Sequence, residues 1–325
     1  MSAKKVSFII PHKGRLEMLS QTVLSILNLD YHLSAIEVIV VSQNERLDAS
    51  EIIDKNTNGF EQVQVFLRKE GGTISASRNF GVTRASGEYL AFLDADIDLS
   101  SNWLNIMFEK LAEKPDRKLV SAYQICHQDA PELEKLRTEL SNFDVDQAVS
   151  FLPGRNLFLT RDTFDKVNGF PEHLITCEDY YFTDKVNELG ELFYTTDASY
   201  VHLGEDKEWG QLFDKEIWRG QSNLKSLKGR SIPVREYPSL LVPLWVFLFG
   251  LGAIIALFFG NIPAVVSNLV AVLLPVFAYS YRLFSKTEAR LSFYLISKFY
   301  SIYFVARAIG TVMGVVKAFN VRNGA

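Results

Sequence analysis

The sequence predicts an α/β domain built on a mainly parallel sheet, followed by an α-helical membrane region. Three observations predict it. Continuous apolar runs of strand length alternate with helix-like segments through the first hundred residues, the pattern of strands buried on both faces. One of these runs, "EYLAFLDADIDLS" (88–100), delivers carboxylates at Asp94, Asp96 and Asp98 as it ends. Near the carboxyl terminus, two uncharged stretches are each long enough to cross a ~30 Å hydrocarbon core.

Taken in order, "VSFIIP" (6–11) reads as a strand closed by a proline, and Leu16 to Leu27 as a helix with Leu16, Leu19, Val23 and Ile26 on one face. "IEVIVVS" (36–42) and "VQVFL" (63–67) are the second and third strands. "GGTISASRNFGVTRASG" (71–87) is a glycine-bounded loop leading into a short helix, and "EYLAFLD" (88–94) is the fourth strand. Residues 127–152 read as an acidic helix and loop, either a mobile lid or a solvated insertion. Glu178 and Asp179 open a helical stretch, Tyr180 to Leu189.

Tyr237 to Phe259 and Ile262 to Tyr281 contain no charged residue. Gly260, Asn261 and Pro263 punctuate the gap, so the expected helices at about 238–259 and 262–281 form a tight hairpin. Lys225, Lys228, Arg230 and Arg235 precede it and Arg282, Lys286 and Arg290 follow it, which places both flanks in the cytosol by the positive-inside rule. The expected organisation is a cytosolic domain over 1–235 and a membrane region over 236–325. A third apolar segment, 291–316, contains Lys298 and Arg307. It either spans, with Gly310 and Gly314 as a packing face, or lies along the interface.

The totals narrow the function classes. A chain of 325 residues, 48% hydrophobic, buries at least one large core, and its net charge of −4 gives no footprint for nucleic acid. Cys126 and Cys177 form no zinc-like or disulfide-framework spacing. The apolar run after Lys4 and Lys5 ends at Pro11, too short for a signal peptide.

In parallel sheets covered on both sides, ligands bind at the carboxyl ends of the strands. Pro11–Arg15, Ser42–Glu45 and Asp94–Asp98 are expected to converge there. Period-two spacing aims Asp94, Asp96 and Asp98 to one side of an extended backbone, and such oxygen ligands suit Mg²⁺ or Mn²⁺ sharing its shell with phosphates. Arg78 either complements phosphate charge or pairs with Asp94.

"VSFIIPHKGR", "SASRNFGVTRASGEYLAFLDAD", "GRNLFLTRDTFDKVNGF" and "CEDYYFTDKV", in this order and spacing, resemble the successive motifs of the family-2 glycosyltransferases. The resemblance covers about residues 5 to 205. It implies a GT-A (Rossmann-like) catalytic domain that transfers a sugar from a nucleotide diphosphate donor with inversion. By that likeness Asp96 is the direct metal ligand, Asp94 touches ribose or metal, and His202 in "YVHLG" sits beside the metal or diphosphate. Asp179 falls on the catalytic base, with Glu178 beside it. The donor side is expected to take in Pro11, Arg15, Ser42, Gln43, Arg78, Asn79 and Asp94. Arg155 and Asn156 shape the acceptor side or a simple turn, and Trp218 and Arg219 either bind acceptor or anchor at the interface. Where the family carries an acidic run after its second strand, this chain has Ser42, Gln43, Asn44 and Glu45. An amide both donates and accepts, which keeps base recognition open; the departure weakens the usual uracil inference, with a UDP-sugar still the favoured donor by the resemblance.

The sequence reading is thus a multi-pass protein of the cell membrane, its catalytic domain on the cytoplasmic side, using Mn²⁺ or Mg²⁺. Its expected partners are a nucleotide-sugar donor, a lipid-linked or other glycan acceptor and membrane lipids. Two other readings stand beside it: transfer onto a polyprenyl phosphate itself, and a non-catalytic sugar- or nucleotide-binding membrane subunit.

Overall fold

The computed structural model describes residues 3–68, 72–221, 237–287 and 290–322. The chain forms two compact units: Met1–Gln128 with Asp144–Glu205, and Asp129–Phe143 with Asp206–Ala325. The basic flank from Lys225 to Arg235 and the expected boundary at 235/236 lie outside the described residues.

In the first unit the elements run β1 (Val6–His12), α1 (Leu16–Leu27), β2 (Ile36–Ser42), α2 (Ala49–Ile52), β3 (Val63–Leu67), α3 (Ile74–Arg84), β4 (Tyr89–Leu93), β5 (Ile97–Leu99), α4 (Trp103–Ala112) and β6 (Arg117–Ile125). The second unit then contributes α5 (Glu132–Ser141). The first resumes with β7 (Gln147–Val149), β8 (Asn156–Thr160), α6 (Arg161–Lys166), α7 (Glu178–Leu189) and β9 (Glu191–His202).

Among the described residues nine strands join one sheet in the order β3-β2-β1-β4-β8-β6-β9-β5, with β7 on β9. The sheet is parallel across β3-β2-β1-β4 and again between β6 and β9. β8 enters antiparallel between β4 and β6, so the sheet is mixed, where the sequence suggested a mainly parallel one. The reason is connectivity. The chain leaves β4 through a turn and returns to its neighbour only at Asn156, running the opposite way.

Alternate strand residues feed two cores. Phe8, Ile10, Val38, Val40 and Leu93 pack with Leu19 and Val23 of α1 and Trp103 of α4. Ile9, Leu90 and Phe92 face the other way, onto Phe164, Phe182 and Val186. Each such side chain contributes about 1.5–3 kcal/mol when fully buried, and this double coverage is what reads as unbroken apolar runs.

The second unit adds α8 (Trp209–Gly220), α9 (Tyr237–Phe258), α10 (Ile262–Lys286) and α11 (Phe293–Arg322) to α5. Three stretches, Leu240–Phe258, Ile262–Lys286 and Phe293–Val316, are long and apolar enough to cross a membrane. The turn between α9 and α10 uses Gly260 at φ 65°, and the Asn261 side chain accepts a hydrogen bond from Ala264 N at 3.1 Å. Pro275 sits inside α10 and cannot donate to Ala271 O. Trp245 Nε1 of α9 takes that carbonyl at 2.8 Å, so the helix pair supplies the bond that the proline removes. α5 is neither a free lid nor a solvated insertion: Leu133 and Leu136 are buried in the second unit with Leu212, Leu295 and Phe299.

Candidate functional site

The carboxyl edge of β1, β2 and β4 opens onto a cleft of about 300 Å³, lined by Pro11, His12, Arg15, Gln43, Ser77, Asp94 and Asp96 among others. A larger cavity of about 550 Å³ lies at the amino ends of β4 and β6, beside Lys4, Tyr89 and Arg117, and holds none of the expected site residues.

After β1 the backbone takes two left-handed residues in succession, Gly14 at φ 67° and Arg15 at φ 46°. The second is costly for a residue with a side chain. The turn brings the Arg15 guanidinium to Asp96, Nη1 to Oδ2 at 3.0 Å. Ser42 is fully buried, its hydroxyl 3.0 Å from His12 Nδ1, so it braces the strand ends instead of facing the cleft. Gln43 lines the cleft and donates to Gly72 O at 3.1 Å.

Arg78 lies under the site. It is 1% exposed. Its Nη2 donates to Asp94 Oδ1 at 2.9 Å and to Gly154 O at 3.1 Å, while Nη1 donates to Glu178 Oε1 at 3.2 Å. Of the two sequence readings, pairing with Asp94 is the one built here. Asn79 serves a different purpose: it donates to Phe170 O at 2.8 Å and accepts from Phe170 N at 2.9 Å, clamping that loop.

The three alternate carboxylates do not converge. Residues 94–96 turn instead of continuing β4, and Asp98 belongs to β5, opposite Val201. Asp94 stays one-third exposed at the cleft, whereas Asp96 is nearly buried. His202, from the end of β9, places Nε2 3.5 Å from Asp96 Oδ1. Its Nδ1 lies 3.1 Å from Glu205 Oε2. Burial opposes charge on His202, but Asp96 and Glu205 together raise its pKa above the ordinary value.

Sequence reasoning missed Glu205. It also receives Gln124 Nε2 at 3.1 Å and lies 3.9 Å from Arg155 Nη1. Arg155 donates from Nε to Tyr200 Oη at 3.0 Å, so it belongs to this buried network behind His202. Asn156 is fully buried in β8, with no access to an acceptor. Gly204 explains itself by contact: a Cβ there would stand 2.2 Å from Asp96 Oδ2 and 2.6 Å from Arg15 Nη1. The three-residue step from His202 to Glu205 was the only signal in the sequence.

Glu178 and Asp179 begin α7, after Cys177 in the left-handed region at φ 63°. Asp179 accepts from Gly154 N at 3.3 Å and Tyr180 N at 2.9 Å. Burial, with Asp179 alongside, pushes Glu178 up to about 7, and Arg78 pulls the other way. Burial likewise raises Asp179 above the usual carboxylate range, against the pull of the Gly154 amide and Arg78. Trp218 and Arg219 lie on α8 of the second unit, Trp218 54% exposed and Arg219 hydrogen-bonded to Glu216.

The Asp96–His202 pair fits a hard divalent cation. Among the described residues no three His, Cys, Asp or Glu side chains cluster for a metal. One carboxylate and one imidazole, with Asp94 on the same cleft, are the donors such an ion would find, the rest of its shell coming from water and phosphate.

A parallel half-sheet that offers acids at its carboxyl edge, extended by the antiparallel β8, with a second acidic pair at the start of α7 tied to the first through Arg78, is the arrangement of a GT-A domain. The chain belongs to glycosyl transferase family 2, whose model matches residues 7–169. Glycosyltransferase AglE of Haloferax volcanii is 23% identical over 247 residues, spanning 75% of this chain and 80% of that protein. The GalNAc(5)-diNAcBac-PP-undecaprenol beta-1,3-glucosyltransferase of Campylobacter jejuni is 30% identical over 112 residues, 34% of this chain and 35% of that protein. Among solved structures, mannosyltransferase PcManGT of Pyrobaculum calidifontis, in complex with GDP-Man and Mn²⁺, aligns with a TM-score of 0.64 at 15% identity. That alignment covers 97% of this chain and 88% of that one, a likeness of fold.

Proposed function

We propose that this family-2 glycosyltransferase moves a sugar from a nucleotide diphosphate donor, a UDP-sugar by preference, onto a lipid-linked glycan, with inversion and with Mn²⁺ or Mg²⁺. One observation carries the reading: the Arg78 guanidinium holds Asp94 of the donor cleft and Glu178 of the acidic pair at once. Donor-side and base-side carboxylates are thereby kept at one locus, as a single displacement requires.

In that reaction the acceptor oxygen forms a bond to the anomeric carbon as the bond to the diphosphate oxygen breaks. The diphosphate leaves with the electron pair, and the acceptor proton passes to a carboxylate on the opposite face. Asp179 is the proposed base. Its raised pKa makes it a better proton acceptor than an ordinary aspartate, while the Gly154 amide fixes its carboxylate. Asp94 is the like charge that acts on it, and Asp179 in turn raises Glu178 beside it. Asp96 and His202 would hold the divalent cation, with Glu205 orienting the imidazole. When bound, the cation neutralises charge on the leaving diphosphate. Gln43, at the cleft wall, is the proposed nucleobase contact. Asn79 and Arg78 position the site from below.

An acceptor carried in a membrane is supported by the apolar helices of the second unit and by the lipid-linked acceptor in the name of the Campylobacter relative. The basic residues flanking the hairpin support a cytosolic catalytic unit. Thermal stabilisation of the full chain by a panel of nucleotide sugars, with and without Mn²⁺, tests the donor reading. Release of nucleoside diphosphate with transfer onto a lipid-linked glycan, and not onto bare polyprenyl phosphate, is the expected activity. Stabilisation without any transfer or donor hydrolysis would instead identify a binding subunit.

A further inference from the structure

Two charges within Phe293–Val316 make that stretch of α11 an awkward membrane span, and α8 answers both. Lys298 Nζ stands 4.3 Å from the Trp209 ring centroid. Arg307 Nε donates to Glu216, which is fully buried and also receives Arg219. The two helices run in the same direction at backbone contact. A Cβ on Gly310 would meet Ile217 O at 2.2 Å, and one on Gly314 would meet Gln221 O at 2.4 Å. α8 therefore accompanies α11 from about Lys298 to Gly314. On its outer side α8 exposes Gln211 and Asp214, side chains that hydrocarbon does not accept.

The contacts with the hairpin point the same way. Phe293 meets both Phe277 and Phe284, at 5.6 and 5.7 Å between ring centroids, and Phe304 still meets Tyr279 at 5.2 Å. Eleven residues of α11 advance ~16 Å yet stay over one short stretch of α10. The helix thus crosses α10 instead of running beside it. Hairpin residues in the shared core come from 242–247 of α9 and 272–284 of α10. Those at the hairpin tip, such as Phe258 at 85% and Ile262 at 59%, are exposed. Away from its Arg307, Gly310 and Gly314 contacts with α8, α11 presents Val305, Ile309, Met313 and Val316, spaced four, four and three residues apart on one face, and Lys298, seven residues before Val305, continues that stripe with its ammonium against Trp209.

We propose that α11 does not cross the membrane but lies in the plane of the lipid–water interface, across the base of the α9–α10 hairpin. The Val305–Val316 face rests on acyl chains and α8 covers the aqueous side. The occupant of that face is a phospholipid bilayer, because the face is continuous with the exposed apolar surface of the hairpin, and Arg282, Lys286 and Arg290 mark the same base with positive charge. The chain is then a two-pass protein with the start of α9 and the end of α11 on one side, whatever its donor or acceptor.

Spin labels on Val305→Cys, Ile309→Cys, Met313→Cys and Val316→Cys of the full chain, in phosphatidylcholine–phosphatidylglycerol vesicles, test this by accessibility to oxygen and to a nickel chelate. Cys126 and Cys177 are replaced by serine in that background. All four labels are expected at one shallow depth, with Ile254→Cys on α9 deep in the bilayer as reference. A depth that grows along the helix and passes through the bilayer centre would overturn the proposal. An independent measurement keeps the native cysteines. Ser292→Cys and Lys317→Cys, on the side of α11 away from the Val305–Val316 face, should react with an impermeant maleimide from the same side of sealed vesicles, read peptide by peptide in a mass spectrometer. Reaction from opposite sides would make α11 a span.

Discussion

Arg78 Nη1 stands 3.2 Å from Glu178 Oε1 across one hundred residues of chain, and the same guanidinium holds Asp94 Oδ1 at 2.9 Å. A buried arginine between two carboxylates is costly to desolvate, and it is far more costly to remove once the carboxylates depend on it.

Replacing Arg78 should therefore strike stability and activity together. Arg78→Met is expected to lose roughly 3–5 kcal/mol, the scale for stripping one partner from a buried ion pair. Arg78→Lys should recover only part of the loss, because an ammonium lacks the fork that reaches both acids. Thermal unfolding of the two variants in detergent checks this, and a melting temperature unchanged in Arg78→Met would deny the guanidinium its central place.

Asp179→Asn should separate chemistry from binding. Asparagine keeps the shape of aspartate but cannot take up a proton, so turnover should fall by roughly 10²–10⁴-fold while Mn²⁺-dependent donor affinity survives. Glu178→Gln should cost less. If Asp179→Asn turns over normally and Glu178→Gln does not, the base is Glu178.

The raised pKa of Glu178, about 7 from an ordinary 4.5, carries a sign for both rate and stability. If the pair must be ionised to accept the acceptor proton, kcat/KM should climb with pH along a limb near 7. Glu178→Gln should remove the titration that places that limb near 7. For stability, the folded state keeps this proton between pH 4.5 and 7 where the unfolded chain releases it. The group's contribution thus falls as pH rises through that window. A wild-type protein that gains stability relative to Glu178→Gln over the same window would contradict the assignment.

Gly204→Ala tests the Asp96–His202 locus without touching a ligand. The new methyl would intrude to 2.2 Å from Asp96 Oδ2, so the carboxylate must move. Mn²⁺ affinity in the presence of donor should weaken by roughly 10–100-fold, the scale for disturbing a metal site from behind. Titration of Mn²⁺ against donor-induced thermal stabilisation reads it directly.

What the sequence by itself determined is what depends on local pattern. Apolar runs such as "IEVIVVS" (36–42) announced strands covered on both faces, and the uncharged stretches before and after Asn261 announced a helical hairpin. The order of four short motifs pointed to Asp96, Glu178 and Asp179, and the separate "YVHLG" pointed to His202. These were legible because burial on both faces, helix length and the hardness of a carboxylate are properties of residues and their near neighbours. Only the tertiary structure decided which side chains meet. The turn at 94–96 removed Asp98 from the cleft, the antiparallel entry of β8 buried Asn156, and the loop at Phe170 claimed Asn79. Glu205 became the orienting partner of His202, and Glu216 the counter-ion of Arg307. Each of these follows from packing between segments far apart in the chain. A residue's chemistry sets what it can bond to, and only the closeness imposed by the folded core selects the partner.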